Sequence, residues 1–129
     1  MSIATIGEFI LAMRKRQDMS VRQLAVALNI SPTYVCDFEK NRRPVTDEIL
    51  ERMRRVFILS EDQAERMYDL AAIAKNTVSA DLPEYIMENE LVRTALRTAK
   101  KNQIPDEKWE KFIKDVIRED GAANGKEIL

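Results

Sequence analysis

Residues 20–43 read SVRQLAVALNISPTYVCDFEKNRR, and the fold turns on how this stretch divides. Ser20 with Gln23 three residues on is a capping-box pattern, so a helix opens at Ser20 with Val21, Leu24, Ala25 and Leu28 on its apolar side. It must stop near Asn29, because Ser31-Pro32 starts a new helix, with serine as N-cap and proline in the first turn. The new helix runs to about Lys40 and buries Val35 and Phe38; Asn41 suits a left-handed C-cap, and Pro44 prevents continuation. Two helices linked by only Asn29-Ile30-Ser31 cannot lie antiparallel and must cross steeply. Ala25 allows close approach at the crossing, and Leu24, Leu28, Val35 and Phe38 clamp the corner from inside. The N-terminal end of the second of these helices then projects from the surface.

Outward from this corner the pattern remains helical. An earlier helix over Thr5–Gln17 carries Ile6, Phe9, Ile10 and Met13 on one face. Thr46 caps a helix through about Phe57 with Ile49, Leu50, Met53 and Val56 as its stripe. Ser60 and Gln63 form a second capping box and open a helix to about Ala74. The expected organisation is a five-helix domain over residues 1–75, a polar linker at 76–83, a helical region at 84–118 and a frayed tail at 119–129. In the helical region, Leu91, Val92, Ala95, Leu96 and Ala99 mark one amphipathic helix. Trp109, Phe112, Ile113, Val116 and Ile117 mark another, started by Pro105, so a C-terminal helical hairpin is expected.

Composition agrees with an all-α chain. Of 129 residues 45% are apolar and 33% charged, with three glycines and four prolines. No apolar run reaches the length of a membrane span, and the N-terminus lacks the basic-then-apolar order of a secretory signal. The single cysteine, Cys36, has no partner for an internal disulfide, and a cytoplasmic setting is expected. With no histidine, ordinary zinc sites and histidine-based triads are excluded, and no glycine-rich phosphate loop occurs; no metal or cofactor is expected. Carboxylates such as Glu61, Asp62, Glu88 and Glu90 sit where helix caps and solvated faces account for them, so no enzyme is expected. The overall charge of −1 divides unevenly: residues 1–57 carry +3 and residues 58–129 carry −4. A polyanion-binding surface therefore belongs to the N-terminal half, where the projecting helix end has the shape to enter a DNA major groove.

Here the sequence resembles the Cro/phage-repressor type of helix-turn-helix, the xenobiotic response element family, whose domain is λ-repressor-like. The likeness covers roughly residues 5–75 and rests on Gln23-Leu24-Ala25, Leu28, Ile30-Ser31, Val35 and Phe38-Glu39, with Arg14 spaced as in the family from Glu39. It implies an ion pair between Arg14 and Glu39 tying the first helix to the third. It also implies that Ser31, Pro32, Thr33, Tyr34 and Asp37 face base edges of double-stranded DNA, and that Arg22, Arg42 and Arg43 contact phosphates. Val21 stands where a phosphate-contacting glutamine often sits, and the reading positions hold no glutamine, so the operator does not carry over.

The C-terminal helices bury little by themselves, so their apolar faces must dock on the N-terminal domain or on another chain. Leu91, Leu96, Trp109, Phe112, Ile113 and Val116 are the candidate interface. The favoured reading is a repressor that binds an inverted repeat as a homodimer, since two-fold symmetry reads two half-sites. The alternative is an antitoxin-like or mobile-element regulator whose C-terminal helices hold a toxin or a regulatory protease.

Overall fold

A computed structural model describes residues 3–128, with side chains as far as 118. The regular structure among the described residues is helical throughout: α1 (Ile6–Arg16), α2 (Val21–Leu28), α3 (Pro32–Glu39), α4 (Asp47–Val56), α5 (Glu61–Lys75), α6 (Pro83–Glu88), α7 (Glu90–Lys101) and α8 (Asp106–Ile128). No helix among the described residues is long and apolar enough to cross a membrane. The chain divides into two compact units, Met1–Tyr85 and Ile86–Leu129.

In the first unit, local chemistry sets each helix start. Thr5 accepts from the amide of Glu8 and Thr46 from that of Ile49, while Ser20 with Gln23 and Ser60 with Gln63 form complete capping boxes. The ends are set by left-handed residues just past each helix. Asn29, Asn41 and Asn76 adopt φ near 57°, 57° and 55°, and the amide of the following residue turns back to the carbonyl five residues earlier. Asp18 does the same after α1.

Ile58, which ends α4, is the outlier. It holds φ 51° although its Cβ is branched, and it is 81% exposed, so no packing repays the strain. Ile58→Asn should raise the free energy of unfolding by about 1 kcal/mol. A urea-denaturation midpoint that falls would show that the isoleucine contributes something its exposure hides.

One core unites the five helices. Ile6, Phe9 and Ile10 of α1 meet Leu24, Ala25 and Leu28 of α2, Val35 and Phe38 of α3, Leu50 and Met53 of α4, and Ala64, Met67 and Leu70 of α5. α3 packs on both α1 and α2; α4 packs on α2 and α5, and α5 also packs on α1. Polar ties lock the frame. Arg16 and Gln17 both donate to the carbonyl of Phe57, at 3.1 and 2.7 Å. Arg52 donates to the carbonyl of Leu28 at 2.9 Å and so closes the C-terminal end of α2. The Tyr68 hydroxyl donates to Glu51 at 2.7 Å across α4 and α5.

The segment expected as a linker does not hang free. The Ser79 hydroxyl donates to the Asp69 carboxylate and Ala80 packs against the core, so the first unit extends to Tyr85. Pro83 opens the short helix α6, where only a linker end was expected. In the second unit, Arg93 donates to the carbonyls of Ile86 (2.9 Å) and Met87, capping the end of α6. α7 and α8 are joined by a short turn in which Gln103 takes φ 46° and the Ile104 amide returns to the carbonyl of Ala99. The frayed tail expected over 119–129 lies outside the described side chains; the helical assignment of α8 extends to Ile128.

Candidate nucleic-acid interface

The corner of α2 and α3 is built from inside. Leu24, Leu28, Ala25, Val35 and Phe38 are each at most 1% exposed. Since Val35 and Phe38 face inward, helical periodicity turns Thr33, Cys36, Asp37 and Lys40 to the opposite side. Thr33, Cys36 and Lys40 are exposed and Asp37 is half-buried. Ser31, Pro32 and Tyr34 are exposed as well. The family resemblance does not single out Cys36 and Lys40, although the 3.6-residue period alone places them on this face.

Ser31 sits at the N-cap of α3 in extended geometry, yet its side chain makes no capping bond. The N-caps of α1, α2, α4 and α5 all use their hydroxyls. The Ser31 hydroxyl is therefore uncommitted at the surface, while in the first turn Pro32 has no amide hydrogen and the Tyr34 amide donates to the Ser31 carbonyl at 3.1 Å.

Two devices hold α3 at its angle. Arg14 Nε donates to Glu39 Oε2 at 2.7 Å and Arg14 Nη2 to Glu39 Oε1 at 3.0 Å, a two-pronged pair joining α1 to α3. Arg14 Nη1 also donates to the carbonyl of Met19 at 3.0 Å. The two side chains are 13% and 10% exposed, and the bond to Glu39 raises the guanidinium pKa above its ordinary value against the opposing effect of burial. The second device is a close approach. The Gly7 amide donates to Asn41 Oδ1 at 2.9 Å, and Asn41 Nδ2 donates to Thr5 Oγ1 at 3.2 Å. A Cβ on Gly7 would stand 2.5 Å from the carbonyl oxygen of Glu39 and 2.8 Å from both polar atoms of the Asn41 side chain. The sequence hint is a glycine inside a helix, where it weakens the helix unless something must come near.

The cations divide into two kinds. Arg22 near the start of α2 and Arg42 beyond α3 are exposed, and their guanidinium groups make no hydrogen bond or ion pair among the described residues. Arg43 instead lies back along α3. Its guanidinium carbon is 4.6 Å from the centroid of the Tyr34 ring, and its Nε is 3.7 Å from Asp37 Oδ2. Tyr34 in turn stacks on the buried Phe38 ring with centroids 6.3 Å apart.

In the second unit, the candidate interface residues are mostly open to solvent. Leu91 is 84% exposed, Phe112 56% and Ile113 54%, with Leu96 and Val116 also exposed and Trp109 half-buried. Trp109 and Phe112 meet edge to face at 6.1 Å. No residue of α7 is buried.

Residues 10–63 match a protein-family model described as helix-turn-helix. Comparison with curated proteins and with solved structures returned no match. The matched span runs from the middle of α1 to the first turn of α5 and takes in the whole of the corner just described. Residues 10–63 thus form a helix-turn-helix domain of the Cro/C1 type, the kind carried by the XRE family of DNA-binding transcription regulators.

Proposed function

We propose that this protein is a cytoplasmic transcriptional repressor that binds an inverted-repeat operator as a homodimer. The observation that carries the reading is the outward side of α3, where Thr33, Cys36, Asp37 and Lys40 stand clear of the core and the Ser31 hydroxyl makes no capping bond. A helix so presented enters the major groove with its N-terminal residues against base edges. Thr33 and Ser31 lie nearest the groove floor, Thr33 able to hydrogen-bond a base and to touch a thymine methyl. Arg22 and Arg42 flank them as phosphate contacts, joined by Lys40.

The two-fold contact is assigned to Leu91, Leu96, Trp109, Phe112, Ile113 and Val116. Large apolar side chains left this exposed suit a contact with another macromolecule, and a second copy is the partner that a symmetric operator requires. Selecting bound sequences from random duplex DNA, with the mass of the complex measured alongside, tests the whole reading. The expected result is a palindromic site with half-sites about one helical turn apart and two chains per duplex. Selected pools without a common motif would refute it.

Arg42→Ala should weaken binding alike for selected and unrelated duplexes. The plot of log K against log salt should become shallower by about 0.9 for each phosphate that is no longer neutralised. A slope equal to the parent's across several salt concentrations would remove Arg42 from the phosphate-binding set.

A further inference from the structure

We infer that Arg43 reads a guanine of the operator half-site, with Tyr34 and Asp37 as the residues that position it. This rests on the DNA-binding reading above and gives the half-site a definite chemical feature.

A phosphate contact can be met by positive charge at the right place, and the exposed Arg42, whose guanidinium has no partner among the described residues, meets that need. Arg43 is arranged differently. Its guanidinium lies against the face of Tyr34, whose ring rests on Phe38, a residue 1% exposed and fixed in the core. The plane of the fork is thereby referred to α3 itself rather than left to a long flexible stem. Asp37 approaches the Nε side at 3.7 Å, close enough to attract but too long for a hydrogen bond. All the N–H groups of Arg43 are left without a hydrogen-bond acceptor among the described residues. Its outer edge is a planar two-donor fork, the shape that matches O6 and N7 of guanine in the major groove.

Stability does not explain the arrangement. An exposed ion pair and an exposed cation–π contact are each weak, and the Arg43 side chain is half exposed. What the contacts supply is direction, which a two-pronged contact with a base edge requires. The arrangement also accounts for Asp37. A carboxylate on a DNA-facing helix is repelled by phosphates, and the neighbouring guanidinium offsets that charge. Asp37 and Tyr34 are accordingly positioning residues here, where the family resemblance implies direct base contacts.

The test uses the full chain and the duplex selected by it, with each base pair varied in turn and 7-deazaguanine, which lacks the N7 acceptor, placed at each guanine. The parent should show one guanine per half-site where loss of N7 weakens binding by about tenfold or more. Arg43→Ala should bind weakly but make no distinction at that guanine. Arg43→Lys, which keeps the charge and loses the stacked fork, should lose the preference there while keeping the parent's salt slope. Asp37→Asn should reduce the same preference and no other. The inference is overturned if Arg43→Ala and Arg43→Lys retain the full preference at every guanine. A uniform loss over all duplexes with a shallower salt slope overturns it too. If the parent itself selects no sequence, the DNA-reading assignment falls with it; a selective parent with an indifferent Arg43 sinks this inference alone.

Discussion

Gly7→Ala destabilises the first unit by about 1–3 kcal/mol and weakens operator binding beyond what the reduced stability explains. Intrinsic helix propensity argues the other way, since alanine is favoured over glycine inside a helix by up to about 1 kcal/mol. The tertiary contact decides the sign. The added methyl would lie 2.5 Å from the carbonyl oxygen of Glu39, which is backbone and cannot swing aside as a side chain can. It would also lie 2.8 Å from the Asn41 side chain that bonds to the Gly7 amide. Relief requires α1 to lift away from the end of α3, and the turn carrying Arg42 moves with it. Thermal or urea unfolding measures the first effect and binding to the selected duplex the second. An alanine variant more stable than the parent would show that α1 and α3 are not held this close.

Arg14→Met costs about 2–4 kcal/mol, the largest single effect expected in this domain. Methionine keeps the apolar stem, so the change isolates the guanidinium. Three hydrogen bonds go with it, to both oxygens of Glu39 and to the carbonyl of Met19. The Glu39 carboxylate is then left 10% exposed without its partner, and an uncompensated charge in that setting costs more than the intact pair contributes. Adding Glu39→Leu should therefore recover most of the stability, because a matched apolar pair is often as stable as the ion pair it replaces. The double variant separates stability from presentation. If the pair sets the angle of α3, operator affinity stays below the parent's even when the unfolding midpoint returns. A single variant as stable as the parent would contradict the account.

What could be read in the sequence was what neighbouring residues decide among themselves. The capping boxes at Ser20–Gln23 and Ser60–Gln63, the end of α2 near Asn29, the left-handed Asn41, and the buried Val35 and Phe38 follow from spacings of three or four residues. The bonding state of a side chain was less accessible. Ser31 had every mark of a capping serine and makes no capping bond, because nothing in residue type says whether a hydroxyl is turned to its own helix. The role of Gly7 is not legible locally, since its need arises 32 residues away, at Glu39, where two helices meet. Ile58 hides for the opposite reason: a branched residue is the last type expected at positive φ, so only the backbone reveals it. Arg42 and Arg43 look interchangeable in the chain, yet Tyr34 and Asp37, one turn apart on α3, hold one and leave the other. The start of α6 at Pro83 and the tie of Ser79 to Asp69 were likewise invisible in a polar, proline-ended stretch.

The central claim is that the outward side of α3 lies in the groove, and Cys36 offers the most direct measurement of it. It is the chain's one cysteine and it is exposed on that side, so a maleimide reagent reports this position alone. In the free protein the thiol should react readily. Saturating selected duplex should slow the reaction strongly, and protein alkylated beforehand should fail to bind that duplex. An unchanged reaction rate in the saturated complex, or alkylated protein that binds with the parent's affinity, would place α3 away from the DNA.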